Sequence, residues 1–146
     1  MTQEKQPSPV GRTRQGEFTL DQIAEMLPGL AMLMPKVGDR YWILYYAARE
    51  GNWPLAKHQI HEVEVLLKMG ATTRPRMADC LNAFIAEHIA AMGTAIEQKD
   101  FAVFERAYRR GTEAANRDHV ETNHAEIVWQ LPQEPPRQLD LKPQKK

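Results

Sequence analysis

The sequence predicts an all-α domain, an antiparallel up-and-down four-helix bundle with irregular N- and C-terminal tails, on three observations. Apolar residues recur every three or four positions over most of the chain, no stretch alternates with period two between turn residues, and the helical segments are joined by short connections. At 146 residues the chain is about the size of one domain.

Residues 1–18 are polar, proline-containing and aperiodic, which predicts a disordered or extended tail without strands. Thr19 is placed to cap a first helical region running through LDQIAEML. Pro28, Gly29 and Pro35 should break or kink it before it resumes as KVGDRYWILYYAARE and stops at Gly51. Asn52 caps the second helix, Pro54 is tolerated in its first turn, and Ala56, Ile60, Val63 and Leu67 make an apolar stripe that Gly70 should end. After ATTRPR, a third helix carries Met77, Leu81, Phe84, His88, Ala91 and Ala95 on one face and frays near Gln98. Asp100 caps the fourth, whose face holds Phe101, Phe104, Tyr108, Gly111 and Ala115 and continues past Asp118 or His119 towards Trp129. Four prolines and a terminal lysine pair mark an irregular tail over 132–146, so the helical body is predicted at 19–131.

Composition excludes several classes. Nineteen Lys+Arg balance nineteen Asp+Glu, giving a net charge of +0, so bulk charge does not steer this chain to nucleic acid. Hydrophobic residues at 42% and charged residues at 26% exclude a wholly disordered chain. The lone Cys80 excludes an intramolecular disulfide and a cysteine metal cage. No apolar run approaches the roughly 20 residues that span a bilayer, so no membrane partner is expected. The first residues also lack the apolar stretch of a secretory signal, which makes the cytoplasm the expected compartment.

Several short motifs carry a family resemblance. Met34-Pro35, Arg40-Tyr41, Leu44-Tyr45-Tyr46-Ala47 and Gly51-Asn52-Trp53 with Leu55-Ala56 resemble the first half of small four-helix-bundle c-type cytochromes. Ala95-Ile96, Lys99-Asp100, Phe104, Ala107-Tyr108, Thr112 and Ala114-Ala115-Asn116-Arg117-Asp118-His119 resemble the helix carrying their haem attachment motif, and Pro132 to Asp140 resembles their proline-rich end. The resemblance implies a cytochrome c'-like bundle. Covalent attachment needs two thiols and an axial histidine, C-x-x-C-H, whereas this chain has Ala115 and Asp118 at the thiol positions and keeps only His119. Thioethers are therefore excluded, and the resemblance implies a haem-less relative with no covalent cofactor.

The remaining chemistry is sparse. His119 stands at the old axial position, where it could hold haem noncovalently or act as a general acid or base with Asp118, Glu121 or His88 orienting it. Its ordinary alternative is a helix histidine bonded to a neighbour. His88 lies in the apolar stripe of the third helix, and pairing it with His119 across a vacated haem cavity would anchor a ligand; a satisfied core histidine is the alternative. His119, His88, Tyr41, Tyr45, Ala115 and Trp129 are the candidate ligand-binding residues. No metal site is expected: a di-iron centre needs two Glu-x-x-His motifs, and only Glu121-x-x-His124 occurs. His58, His61, Glu62 and Glu64 read as a solvated face, and Cys80 beside Asp79 as structural.

Tyr41, Trp42, Tyr45, Tyr46 and Trp53 crowd one span, so some must face away from a single buried stripe, towards a partner or pocket. Met26, Met32 and Met34 add deformable surface before it. The expected function is a non-catalytic small-molecule-binding or accessory protein. Its ligand would be a small apolar or aromatic molecule, or its partner a protein, with homodimerisation through the first two helices. A small enzyme using His119 and a noncovalent haem or electron-transfer protein are the alternatives.

Overall fold

The computed structural model describes residues 10–145, which are mostly helical with one small sheet. Residues 1–9 of the expected N-terminal tail, and Lys146, lie outside the described residues.

The expectation of no strands is corrected. Val10–Thr13 (β1) and Gly16–Thr19 (β2) form an antiparallel hairpin in which Arg12 faces Glu17, with an ion pair of 2.8 Å between them. Four-residue strands are too short to show alternation in sequence, and the turn depends on Gly16, whose φ of 143° is open essentially to glycine. Thr19 then caps α1 (Leu20–Glu25) through a capping box: its hydroxyl accepts from the Gln22 amide at 3.2 Å while its own amide donates to the Gln22 side chain at 2.8 Å.

The next helix, α2 (Leu30–Arg49), starts after Gly29 and runs through Pro35 instead of resuming beyond it. Pro35 lies only two turns in, and the Ala31 carbonyl that loses its amide partner belongs to an exposed residue, where water can satisfy it. Asn52 caps α3 (Trp53–Thr73) by accepting from the Leu55 amide. Gly70 does not end α3. It is buried inside it, and a Cβ there would lie 2.9 Å from Leu30, so the glycine sets how closely α2 and α3 approach. The stop comes at Arg74, which the following proline forces out of the helical region.

The third helical stretch is composite. A single 3-10 turn, Pro75–Met77, leads into α4 (Ala78–Phe84), a π turn at Ile85–Ile89, and α5 (Ala90–Gln98). The wide turn shifts the register. Ile89, Met92, Ala95 and Ile96 are buried, while Ala91, expected on the core stripe, is exposed. Lys99 closes the stretch in the left-handed conformation, and Asp100 caps α6 (Phe101–Glu121) by accepting from the Val103 amide.

Packing follows chain order. α2 lies on α3, α3 on α4 and α5, and α5 on α6, while α6 returns to α2. The expectation that the fourth helix continues towards Trp129 is corrected: α6 ends at Glu121, the chain turns through Asn123 in the left-handed conformation (φ 64°), and residues 122–131 are irregular like 132–145. These residues are not a free tail, because Pro136 and Leu141 are buried. This strap runs back along α2. It explains why six consecutive residues, Ile43 to Ala48, are all buried, since α2 is covered by α3, α6 and the strap together.

Candidate functional site

Of the expected ligand-binding residues, Tyr41 and Trp129 meet at the seam between α2 and α6, where Gly111 removes the side chain that would keep the helices apart. Tyr41 Oη donates to the Tyr108 carbonyl at 3.1 Å, and Tyr108 Oη donates to the Tyr41 carbonyl at 2.9 Å. Their rings stack with centroids 4.2 Å apart and planes 20° apart. Trp129 meets Tyr41 edge-on at 5.2 Å, and the Met92 sulfur lies 3.6 Å from Tyr41 Oη. Burial pushes the ionisation of both phenols far above the ordinary tyrosine range, so they act as neutral hydrogen-bond donors.

Trp129 is held by both amide atoms of Asn116: its N–H donates to Oδ1 at 2.8 Å and its carbonyl accepts from Nδ2 at 3.0 Å. A Cβ on Gly38 would sit 3.1 Å from the indole nitrogen. Tyr45 points to the outer edge of the seam, where its hydroxyl donates to Glu105 at 2.7 Å and Arg109 donates to the same carboxylate oxygen at 2.8 Å. The Tyr45 hydrogen bond, and next that of Arg109, hold the Glu105 carboxyl below the usual carboxylate range.

The two histidines serve different elements. His88, on the π turn, keeps 13% of its side chain exposed, lies 5.1 Å from the Phe84 ring and backs onto Gly111. His119 places Nδ1 2.9 Å from the Ile127 carbonyl; a carbonyl only accepts, so Nδ1 carries the proton and the imidazole fastens the loop after α6. Packed rings fill the seam beside His88, and they do not fit a haem lodged between the two imidazoles. Ala115 is half-buried on α6, where its methyl group brings no polar atom to the seam.

Asp118 turns to α4. Its carboxyl is pushed up, chiefly by burial and next by the Glu121 charge. The facing Cys80 thiol is pushed up by burial and then by Asp118, which keeps it protonated and poorly nucleophilic. Among the described residues no three His, Cys, Asp or Glu side chains are grouped to hold a metal ion, and no helix is long and apolar enough to cross a membrane.

Sequence reasoning missed a groove of about 490 Å³ between α3 and the π turn with α5. Ile60, Ile85, Ile89 and Ile96 line it, and a Lys57–Glu97 ion pair of 2.6 Å stands at its side. Its walls follow the π register, which a uniform 3.6-residue period conceals. Tyr108, Met92 and Asn116 were also missed as partners in the seam. Gly111 in the middle of an apolar stripe was the available signal, because a small residue there permits close approach.

No protein-family model, curated protein or solved structure matches the chain.

The seam makes Gly111 sensitive to any added side chain. A Cβ there would lie 2.6 Å from Tyr41 Oη, and that phenol is locked between Tyr108 and Trp129. Gly111→Ala should therefore cost about 1–3 kcal/mol in urea unfolding despite the better helix propensity of alanine. Tyr41→Phe should relieve part of that cost, making the double variant more stable than additivity predicts.

The carboxylates on α6 give the fold a pH dependence of two signs. A raised Asp118 pKa means that ionisation opposes folding above the folded-state value, and this penalty fades as pH falls through it. Asp118→Asn should stabilise the chain at neutral pH, with a gain that shrinks on approach to about pH 4. Glu105 has the opposite sign: its contribution is present at neutral pH and is lost as pH falls through its lowered value, so Glu105→Gln should weaken the acid dependence. Unfolding midpoints across pH check both.

Proposed function

We propose that this chain is a non-catalytic interaction or accessory protein, built on an up-and-down four-helix bundle of the haem-less cytochrome-like kind, that pairs with a second copy through its N-terminal apolar face. One observation carries the reading. α1 buries no residue, although its segment is apolar: Leu20 is 53%, Ile23 38%, Met26 61% and Leu27 45% exposed. Met32, near the start of α2, adds a further 60%-exposed side chain. Clustered apolar and methionine side chains on a short amphipathic element suit a contact that removes them from water.

The segment is held in place from behind. Arg74 donates to the Leu27 carbonyl at 3.1 Å and Thr73 donates to the Pro28 carbonyl at 2.7 Å, tying the α1–α2 connection to the end of α3. The surface is thus presented on a fixed base. Interior ligand binding has less support, because Tyr41, Tyr108, Met92 and Trp129 occupy the seam. The enzyme reading has less still: His119 is engaged by a backbone carbonyl and Cys80 is held as a thiol.

Sedimentation equilibrium of the full chain tests the proposal. A concentration-dependent dimer is expected, and Leu20→Ser, Ile23→Ser and Met26→Ser together should weaken that pairing while leaving the helical circular dichroism unchanged. A wild-type chain that stays monomeric at every attainable concentration, or a triple variant that pairs as well as wild type, would sink the reading.

A further inference from the structure

We propose that the aromatic face of α2 is a docking site for a proline-rich extended segment, and that two copies of the chain exchange residues 132–142 reciprocally across it. The inference rests on the reading of the chain as an interaction protein but uses a different surface. In the single chain the face is covered by its own strap. Tyr46 Oη lies 2.7 Å from the Pro132 carbonyl and 2.6 Å from that of Gln133, Trp42 Nε1 donates to the Glu134 carbonyl at 2.9 Å, and Asn52 Nδ2 donates to the Lys142 carbonyl at 3.2 Å.

The three side-chain donors, the Tyr46 hydroxyl, the Trp42 indole and the Asn52 amide, all read backbone carbonyls; Pro132, Gln133 and Glu134 are consecutive, and the single Tyr46 proton serves one of its two carbonyls at a time. Pro132, Pro135 and Pro136 have no N–H, so the segment offers acceptors with few donors that need partners of their own, and its rings restrict the unbound chain. This is the chemistry by which aromatic surfaces recognise proline-rich segments. Nothing in it depends on the segment belonging to the same chain.

The hold is also releasable. Gln133, Glu134 and Pro135 are exposed, and only Pro136 and Leu141 bury their side chains. Trp129 stays anchored by Asn116, which leaves exposed Gln130 as the hinge, and release also lifts the half-buried Leu131 from the core. Release uncovers Trp42 and Tyr46. A second copy carries the one segment whose carbonyl spacing is already matched to them, so reciprocal exchange remakes every bond and closes on itself with twofold symmetry. The balance between closed monomer and exchanged pair is then set by effective concentration, not by new contacts.

The test uses full chains that also carry the three serine substitutions, so that the N-terminal face does not contribute. One chain has Trp42→Phe and Tyr46→Phe, which remove the face but keep the strap. The other has Pro136→Ala and Leu141→Ala, which loosen the strap but keep the face. Mixing them should double the sedimenting mass and return the Trp42 indole N–H resonance of the second chain to its wild-type position, while each chain alone stays monomeric. A mixture that remains monomeric with the resonance unmoved overturns the proposal. Should the loosened chain fail to fold, a synthetic peptide of residues 131–145 is titrated onto the otherwise unaltered serine-substituted chain. A saturable shift of the Trp42 resonance supports the site, and no shift up to the solubility limit overturns it. A peptide that binds while the two chains never pair overturns the second copy as occupant.

Discussion

The crossed hydrogen bonds of Tyr41 and Tyr108 set the geometry of the rest of the molecule. Each phenol donates to the backbone carbonyl of the other residue, so α2 and α6 are fixed in both separation and register. The arrangement needs Gly111, because any side chain there would occupy the position of the Tyr41 hydroxyl. It also fixes what can lie beside it. Trp129 lies edge-on against Tyr41 beside the stacked pair and, anchored by Asn116, delivers the following residues onto α2.

That delivery changes the character of α2. A helix covered on one side carries one apolar stripe, whereas this one is apolar around most of its circumference from Ile43 to Ala48. The third covering layer is a strap without secondary structure, so its bonds come from Trp42, Tyr46 and Asn52 instead of from a backbone ladder. Amphipathic aromatic residues are suited to holding such a strap, because their rings pack on the core while their polar ends reach outward to its carbonyls. The crowding of aromatic residues in the sequence therefore has a structural cause as well as the interaction role proposed for it.

What was legible in the sequence were signals contained within one turn of chain. Thr19, Asn52 and Asp100 cap their helices, because an N-cap is a contact between residues three apart. The crowding of aromatics signalled more than one covering surface, but in the chain the second surface is its own strap and not the partner or pocket expected. Features that depend on distant partners were hidden. Gly70 reads as a helix end, and Gly111 as one more position on a helical face, until Leu30 and Tyr41 are seen opposite them. The π turn at Ile85–Ile89 offers neither proline nor glycine as a marker, and it moved the buried face from Ala91 to Met92. Of the candidate site residues, Tyr41 and Trp129 meet, a contact between distant parts of the chain that leaves no local signal, whereas His88 packs on Phe84 and His119 turns to Ile127.

The distribution of polar groups is the background to the interaction role proposed above. Among the described residues no buried side-chain nitrogen or oxygen lacks a partner. Gln59, buried within α3, is taken by Arg40 at 3.1 Å, and the Tyr45–Glu105–Arg109 contacts tie α2 to α6. Catalysis calls for a group whose proton or lone pair is held ready for a substrate. Here the buried donors and acceptors are engaged in joining helices, and the carboxyl pushed up on α6, that of Asp118, faces a thiol pushed the same way. The apolar side chains of α1 are exposed, whereas the aromatic face of α2 is covered by the strap. Such surfaces gain free energy by being covered, which requires a partner surface and no reaction.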